Sequence, residues 1–218
     1  MESIRNYFPE LSLTQLELLE TLAELLREWN TRINLVSRRD IDNLEERHLL
    51  PSLALAKIAS WGPETSVMDV GTGGGLPGLP LAICFPKTRF LLIDSTGKKV
   101  RAVDDMARRL GLNNVKVEKT RVEAVSRKFD FVLGRAVAPL PRFLGWVIKN
   151  LKAGGEKTFP NGVLYLKGSK YKEELAECEI HAHAVYPLSE FFEESVYKEI
   201  YILHIATADL VRKQALFS

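Results

Sequence analysis

Apolar positions change period along this chain, and the change marks out its organisation. Between residues 11 and 30, Leu16, Leu19, Leu22, Leu26 and Trp29 recur at three- to four-residue intervals, which places them on one face of an amphipathic helix. Thr14-Gln15-Leu16-Glu17 has the form of a capping box at the start of that helix. A second helix is expected from about Asp42 to Ser60, interrupted near Pro51, and Trp61-Gly62-Pro63 then ends the helical pattern. Residues 1–62 therefore read as an N-terminal helical appendage and 63–218 as the main domain.

Beyond residue 63, short β-rich runs alternate with helical periods. Strands are expected near 66–70, 90–94, 115–119, 129–133 and 162–167, with helices near 77–85, 97–110, 139–151 and 169–178. This alternation predicts an α/β, doubly wound parallel sheet, with ligands bound where the strands end. The tail differs. Ala182 to Tyr186 and Lys198 to Ile205 read as two strands without a helix between them, a C-terminal antiparallel pair on the parallel sheet.

Between the first strand and its helix lies Asp69-Val70-Gly71-Thr72-Gly73-Gly74-Gly75-Leu76-Pro77-Gly78. Glycines here allow positive φ and close approach of a ligand to the main chain, and the helix that follows offers free N–H groups. Two registers fit. Gly73 to Gly78 matches the dinucleotide pattern G-x-G-x-x-G, whereas Asp69-x-Gly71-x-Gly73-x-Gly75 matches the D-x-G-x-G-x-G loop of S-adenosylmethionine (SAM) methyltransferases. Phe90-Leu91-Leu92-Ile93-Asp94 ends the next strand on an acid, about twenty positions past the glycines, where a ribose partner belongs. An acid at the loop entrance suits the sulfonium and ammonium of SAM better than a pyrophosphate. The chain contains no G-x-x-x-x-G-K-[ST] loop, which argues against a P-loop triphosphate site.

Composition narrows the class. With 218 residues, 46% of them apolar, the chain can bury a substantial core. No signal-peptide pattern or membrane-length apolar run is present, and a cytoplasmic protein with no membrane association is expected. Cys84 and Cys178 form no C-x-x-C, so both read as reduced thiols. His181 and His183 share a strand face but lack a third ligand, and no metal is expected. The net charge of +2 conceals an asymmetry. Residues 97–172 carry 18 Lys/Arg against 6 Asp/Glu, a net +12, including Lys98, Lys99, Arg101, Arg108, Arg109, Lys116, Lys119, Arg121, Arg127 and Lys128. Such a run is either a solvated helix face or a surface for a phosphate backbone; beside a cofactor site it favours a polyanionic substrate.

Trp29-Asn30, Ile33 to Asp40, Arg47-His48-Leu49-Leu50, Asp69 to Gly78, Leu92 to Ser95, Lys98 to Arg101, Arg121-Val122-Glu123, Arg135-Ala136 and Leu166-Lys167-Gly168 resemble, in order, the bacterial RsmG (GidB) proteins. That family methylates N7 of a guanosine in small-subunit (16S) ribosomal RNA. The resemblance implies a Rossmann-like class I SAM-dependent methyltransferase sheet, SAM as cofactor and 16S rRNA or the small ribosomal subunit as partner, with no obligate protein partner evident. It puts Gly71, Gly73 and Leu76 against the methionyl and sulfonium part of SAM, Asp94 on the ribose, Val122 and Glu123 beside the adenine, and Arg135 in the cofactor and substrate cleft. Arg135 could hold the cofactor carboxylate, an RNA phosphate or an internal acid. Arg38, Arg39, Lys98, Lys99, Arg101 and Lys167 are candidates for RNA contacts. His48 joins them, against the plainer role of a structural histidine.

Three positions depart from the family pattern: Pro51 stands where aspartate is common, Gly134 where serine is common, and Gly155 to Asn161 forms a longer loop. Guanine N7 carries an in-plane lone pair, so methyl transfer to it needs no general base and no covalent nucleophile; no catalytic acid or base is expected, and catalysis would come from positioning. Two readings from other classes stay open: an NAD-dependent oxidoreductase using Gly73 to Gly78, for which no hydride-site His or Tyr-Lys pair can be placed, and a non-catalytic RNA-binding module using only the basic segment.

Overall fold

A computed structural model describes residues 1–37 and 39–212; Arg38 lies outside the described residues. Seven strands form one sheet in the order β3-β2-β1-β4-β5-β7-β6. They are β1 (Ser66–Val70), β2 (Arg89–Asp94), β3 (Val115–Lys119), β4 (Phe131–Arg135), β5 (Gly162–Lys167), β6 (Ala184–Pro187) and β7 (Tyr201–Ala206). β1 to β5 are parallel, and β7 runs antiparallel between β5 and β6. The central strands β1, β4 and β5 are apolar on both faces because helices cover both. The edge strand Val-Lys-Val-Glu-Lys of β3 is partly exposed, and its lysines discourage edge pairing.

The helices are α1 (Glu2–Tyr7), α2 (Leu13–Asn30), α3 (Leu50–Ile58), α4 (Gly78–Cys84), α5 (Gly97–Arg109), α6 (Leu140–Val147), α7 (Tyr171–Glu177) and α8 (Thr207–Arg212). One buried cluster joins Leu16 to Leu26 and Leu44 to Leu55 with Leu79, Ile83, Phe90 and Val103, so the N-terminal helices and α4 and α5 cover one face of the sheet. A second cluster joins Met68, Val132 and Val163 with Phe143, Tyr171 and Leu210, which places α6, α7 and α8 over the other face. Polar contacts lock α2 down: Trp29 Nε1 donates to Asp105 at 3.0 Å, Arg109 pairs with Glu28 at 2.9 Å, and Gln15 donates to the Ile83 and Cys84 carbonyls.

Several elements differ from the sequence expectation. The α2 capping box is Ser12 with Gln15, not Thr14 with Glu17, because Gln15 also reaches back to the Ser12 N–H. β4 runs two residues later than expected; Asp130 is occupied accepting from Ser66, and the strand continues through the non-apolar Gly134 and Arg135. The helix expected from 42 to 60 is a π-helical turn, Glu45–Leu49, followed by α3 with Pro51 in its first turn. Pro51 has no N–H to give a preceding carbonyl, and the Arg47 carbonyl four residues before it is used in the site below. The 155–161 loop packs the half-buried Phe159 against the core, its ring tilted against Phe131 at 5.3 Å and His204 at 4.6 Å between centroids. The segment between β6 and β7 carries two 3₁₀ turns, Leu188–Glu190 and Ser195–Tyr197.

His204 supplies a pH test of this core. It is fully buried, its Nε2 donates to the Pro160 carbonyl at 2.8 Å, and burial pushes its pKa down to about 4. The folded state then holds it neutral while the unfolded chain takes up a proton below about pH 6.5. Its contribution is complete above pH 6.5 and is lost as pH falls towards 4. His48 acts in the same sense, also lowered to about 4 by burial, whereas Asp69, raised to about 7 by burial, acts in the opposite one. Urea unfolding at pH 7 and pH 5 should show a smaller loss for His204→Gln than for the unmodified protein, since both share the other two groups. Equal losses would remove His204 from the account.

Candidate active site

The glycine loop leaves β1 and crosses in front of α4. Gly71, Gly73 and Gly75 have φ of 64°, 58° and 83°, whereas Gly74 and Gly78 are not in the left-handed region. Those three are the alternate glycines of D-x-G-x-G-x-G, and they are the positions where an L side chain is strained. The glycines outside that series serve packing: a Cβ on Gly74 would lie 3.3 Å from Leu35, and one on Gly78 would lie 2.8 Å from Asp69 Oδ2. Asn30 Oδ1 accepts the N–H groups of Leu35 and Val36, both at 2.9 Å, and so holds that segment over the loop.

Asp69 does not face a ligand as the entrance argument supposed. It is buried, with Oδ2 accepting from the Thr72 hydroxyl at 2.6 Å and the Gly78 N–H at 3.0 Å. It pins the two ends of the loop together.

Asp94, the last residue of β2, accepts from the Gly73 N–H at 3.2 Å through Oδ2 and from the Thr96 N–H at 2.7 Å through Oδ1. It lines a cavity of about 400 Å³ at the carboxyl ends of β1, β2 and β4, within the ~300–1,000 Å³ usual for small-molecule sites. Gly71, Val122, Glu123 and Lys99 also line it. Gly73 is joined to it only through its N–H bond to Asp94, and Leu76 is not part of its lining but is buried in the core with the N-terminal helices. Sequence reasoning missed Arg142 and Trp146, which form the outer wall with the guanidinium 5.0 Å from the ring centroid. Their spacing, one helical turn apart on the helix that leaves β4, was the available signal.

Arg135 lies outside this cavity, in an adjoining cleft of about 250 Å³ with Pro51, Lys167 and Gly168; Ala136 belongs to both walls. Its guanidinium donates to the carbonyls of Arg47 at 2.9 Å and His48 at 3.2 Å, to Ser52 Oγ at 3.4 Å, and to His48 Nδ1 at 2.9 Å. The Arg47 carbonyl sits four residues before Pro51, where no helical donor exists, so Arg135 satisfies what the proline leaves open. Among the described residues no carboxylate pairs with Arg135 within ion-pair distance; burial lowers its pKa to about 10, against the attraction of Asp69 and Asp40. His48 accepts from Arg135, so its proton is on Nε2, which points at Asp40 Oδ2 3.7 Å away. Asp40 in turn accepts from Ser37 at 2.6 Å, tying the 37–40 loop to Arg135.

The remaining basic candidates are placed unequally. Lys98 and Arg101 are exposed in the first turns of α5, and Arg39 is exposed in the 37–40 loop. Lys167 is mostly buried and held by Glu174 at 2.7 Å.

Tyr165 governs the hinge between cavity and cleft. Its hydroxyl accepts the N–H groups of Val137 and Ala138 and donates to the Ala138 carbonyl at 2.9 Å. That fixes the turn after β4, where Ala136 has φ of 53°. Val137 then closes on the loop opposite, since a Cβ on Gly71 would lie 3.0 Å from its Cγ1.

Comparison with known proteins agrees with this geometry. The family described as GidB, rRNA small subunit methyltransferase G, matches residues 15–199. The chain belongs to this family. A relative from Flavobacterium johnsoniae named ribosomal RNA small subunit methyltransferase G is 44% identical over 205 residues, covering 94% of this chain and 97% of the relative. One of the same name from Phocaeicola vulgatus is 41% identical, covering 96% of this chain and all of the relative. Among solved structures, a SAM-dependent methyltransferase from Aquifex aeolicus superposes with a TM-score of 0.54 at 18% identity over 77% of this chain and 97% of that one. The GidB chain described here therefore shares its fold with methyltransferases of very different sequence.

Proposed function

We propose that this GidB protein transfers a methyl group from SAM to N7 of a guanosine in 16S rRNA. The observation that carries the reading is the positive-φ glycine loop of D-x-G-x-G-x-G, whose Gly71 lines one cavity with Asp94 and whose Gly73 N–H is bonded to Asp94, in a chain of the rRNA methyltransferase G family. Bound there, SAM supplies an electrophilic methyl group. The residues present fit it. Each Asp94 oxygen holds one backbone N–H and keeps acceptor capacity towards the cavity for ribose hydroxyls. Val122 and Val137 offer apolar walls to a base, and Lys99 and Arg142 offer positive charge.

The cleft next to Ala136 is the place for the target guanine, between Arg135 and Lys167. Arg135 is fixed by four bonds to the 47–52 segment and presents a rigid cation to that cleft. The neutral His48 is committed to Arg135 and acts as a positioning residue. Guanine N7 needs no base to accept a methyl group, so alignment of acceptor and donor carries the catalysis, an effect worth roughly 7–11 kcal/mol. The exposed Arg39, Lys98 and Arg101 are assigned to RNA phosphates, and the sequence assigns Arg38 to the same role. In this reading residues 63–218 carry the cofactor and 1–62 cover its glycine loop. The protein acts in the cytoplasm on the small subunit or its RNA; among the described residues no helix is long and apolar enough to cross a membrane.

Calorimetric titration tests the cofactor directly. SAM should bind with one-site stoichiometry and NAD should give no heat; NAD binding without SAM binding would reverse the reading.

A further inference from the structure

The basic segment of residues 97–172 does not gather at the cofactor. Lys98, Lys99, Arg121 and Arg142 belong to the carboxyl edge of the sheet. Lys116, Arg127, Lys128 and Lys152, joined by Arg89 from β2, surround a different cavity of about 520 Å³ at the amino ends of β1, β2 and β3. Among the described residues no aspartate or glutamate lines it.

The local ion pairs leave this surface positive. Glu118 serves both Lys116 at 2.9 Å and Arg127 at 2.8 Å, Asp130 serves Lys152 at 3.0 Å, and Glu64 lies 3.9 Å from Arg89. Three carboxylates thus face five cations, and Lys128 is exposed and outside every ion pair among the described residues. Lys116 and Arg89 are 68% and 65% exposed, where pairing to a carboxylate is weak and a phosphate can compete.

The two edges are connected. The segment between β3 and β4 begins at the cofactor cavity with Arg121 to Glu123 and ends at the second cavity with Arg127 to Phe129. A five-residue strand separates the edges by roughly 17 Å, at about 3.3 Å per residue. That is the reach of a few nucleotides of backbone.

We propose that the amino-edge cavity is a second RNA-backbone site, taking phosphates of the same ribosomal RNA a few nucleotides from the base in the Arg135 cleft. It rests on the reading of the protein as an rRNA methyltransferase, but it predicts binding that is measured without methyl transfer. Recognition there is electrostatic and sequence-independent, positioning the RNA while the opposite edge selects the base.

The test uses the full chain, small ribosomal subunits from cells lacking the protein, and a variant combining Arg89→Gln, Lys116→Gln and Lys128→Gln. Binding is followed against salt concentration. Each lost phosphate contact should lower the slope of log affinity against log salt by about 0.7–0.9, so the triple variant should lose about 2 from the slope and bind the subunits at least tenfold more weakly at moderate salt. SAM affinity should not change. Lys128→Glu alone, at a position with no partner to disturb, should weaken subunit binding several-fold. An unchanged slope and affinity in both variants would overturn the site. Failure of the unmodified protein to methylate the RNA would overturn the activity and leave the binding result to stand on its own.

Discussion

Replacing Gly134 by serine is expected to destabilise this protein by about 3 kcal/mol, at the upper end of ordinary overpacking. A Cβ on Gly134 would lie 2.3 Å from Tyr165 Cε2 and 2.7 Å from Phe143 Cζ. The two rings pack edge to face with centroids 4.5 Å apart, leaving the Tyr165 ring no room to retreat. Glycine is needed here for space and not for φ, and Tyr165 is the reason. Denaturant unfolding of Gly134→Ser, Tyr165→Leu and the pair measures the coupling. The serine should cost at least about 2 kcal/mol less once the ring is gone, whereas strictly additive costs would show that Tyr165 is not what excludes it. Because the Tyr165 hydroxyl holds Val137 and Ala138, Gly134→Ser should also weaken SAM binding without touching the cofactor cavity itself.

Asp94→Ala is expected to reduce SAM affinity by roughly 1–3 kcal/mol, about 5- to 150-fold, the scale of losing hydrogen bonds to a charged acceptor. The carboxylate has two tasks. It offers acceptor lone pairs to a ribose, and it binds the N–H groups of Gly73 in the glycine loop and of Thr96 in the cavity wall. Alanine removes both, so melting should fall along with affinity. Asp94→Asn separates them, since its amide oxygen still accepts one N–H while the charge is lost; its melting temperature should lie closer to that of the unmodified protein. Calorimetric affinity unchanged in Asp94→Ala would take Asp94 out of the site.

The glycine loop was legible because its chemistry is written in spacing. Alternate glycines mark the positive-φ positions, and an apolar run ending in Asp94 marks the next strand edge. The direction of Asp69 was not legible, since spacing cannot say that Thr72 and Gly78 return to it and turn it inward. Arg135 falls two residues past the strand expected from the sequence, and its partners were hidden; they are the Arg47 and His48 carbonyls, the Ser52 hydroxyl and the His48 ring, none of which leaves an acidic signature. The basic segment misled through its continuity. Residues a few positions apart, such as Arg121 and Arg127, are carried to opposite edges of the sheet by the connection from β3 to β4, so a net charge of one sign becomes two separate surfaces. Arg142 and Trp146 went unread because a helix leaving β4 presents them to the cavity only once the sheet order is known.

The central claim is methyl transfer to one guanosine of the small-subunit RNA. Small ribosomal subunits from cells lacking the protein, incubated with the purified protein and isotopically labelled SAM, provide the decisive measurement when their RNA is digested and resolved by mass spectrometry. The account predicts label in a single 7-methylguanosine of 16S rRNA, absent when SAM or the protein is withheld. Label in another base, in ribosomal protein, or nowhere would contradict it.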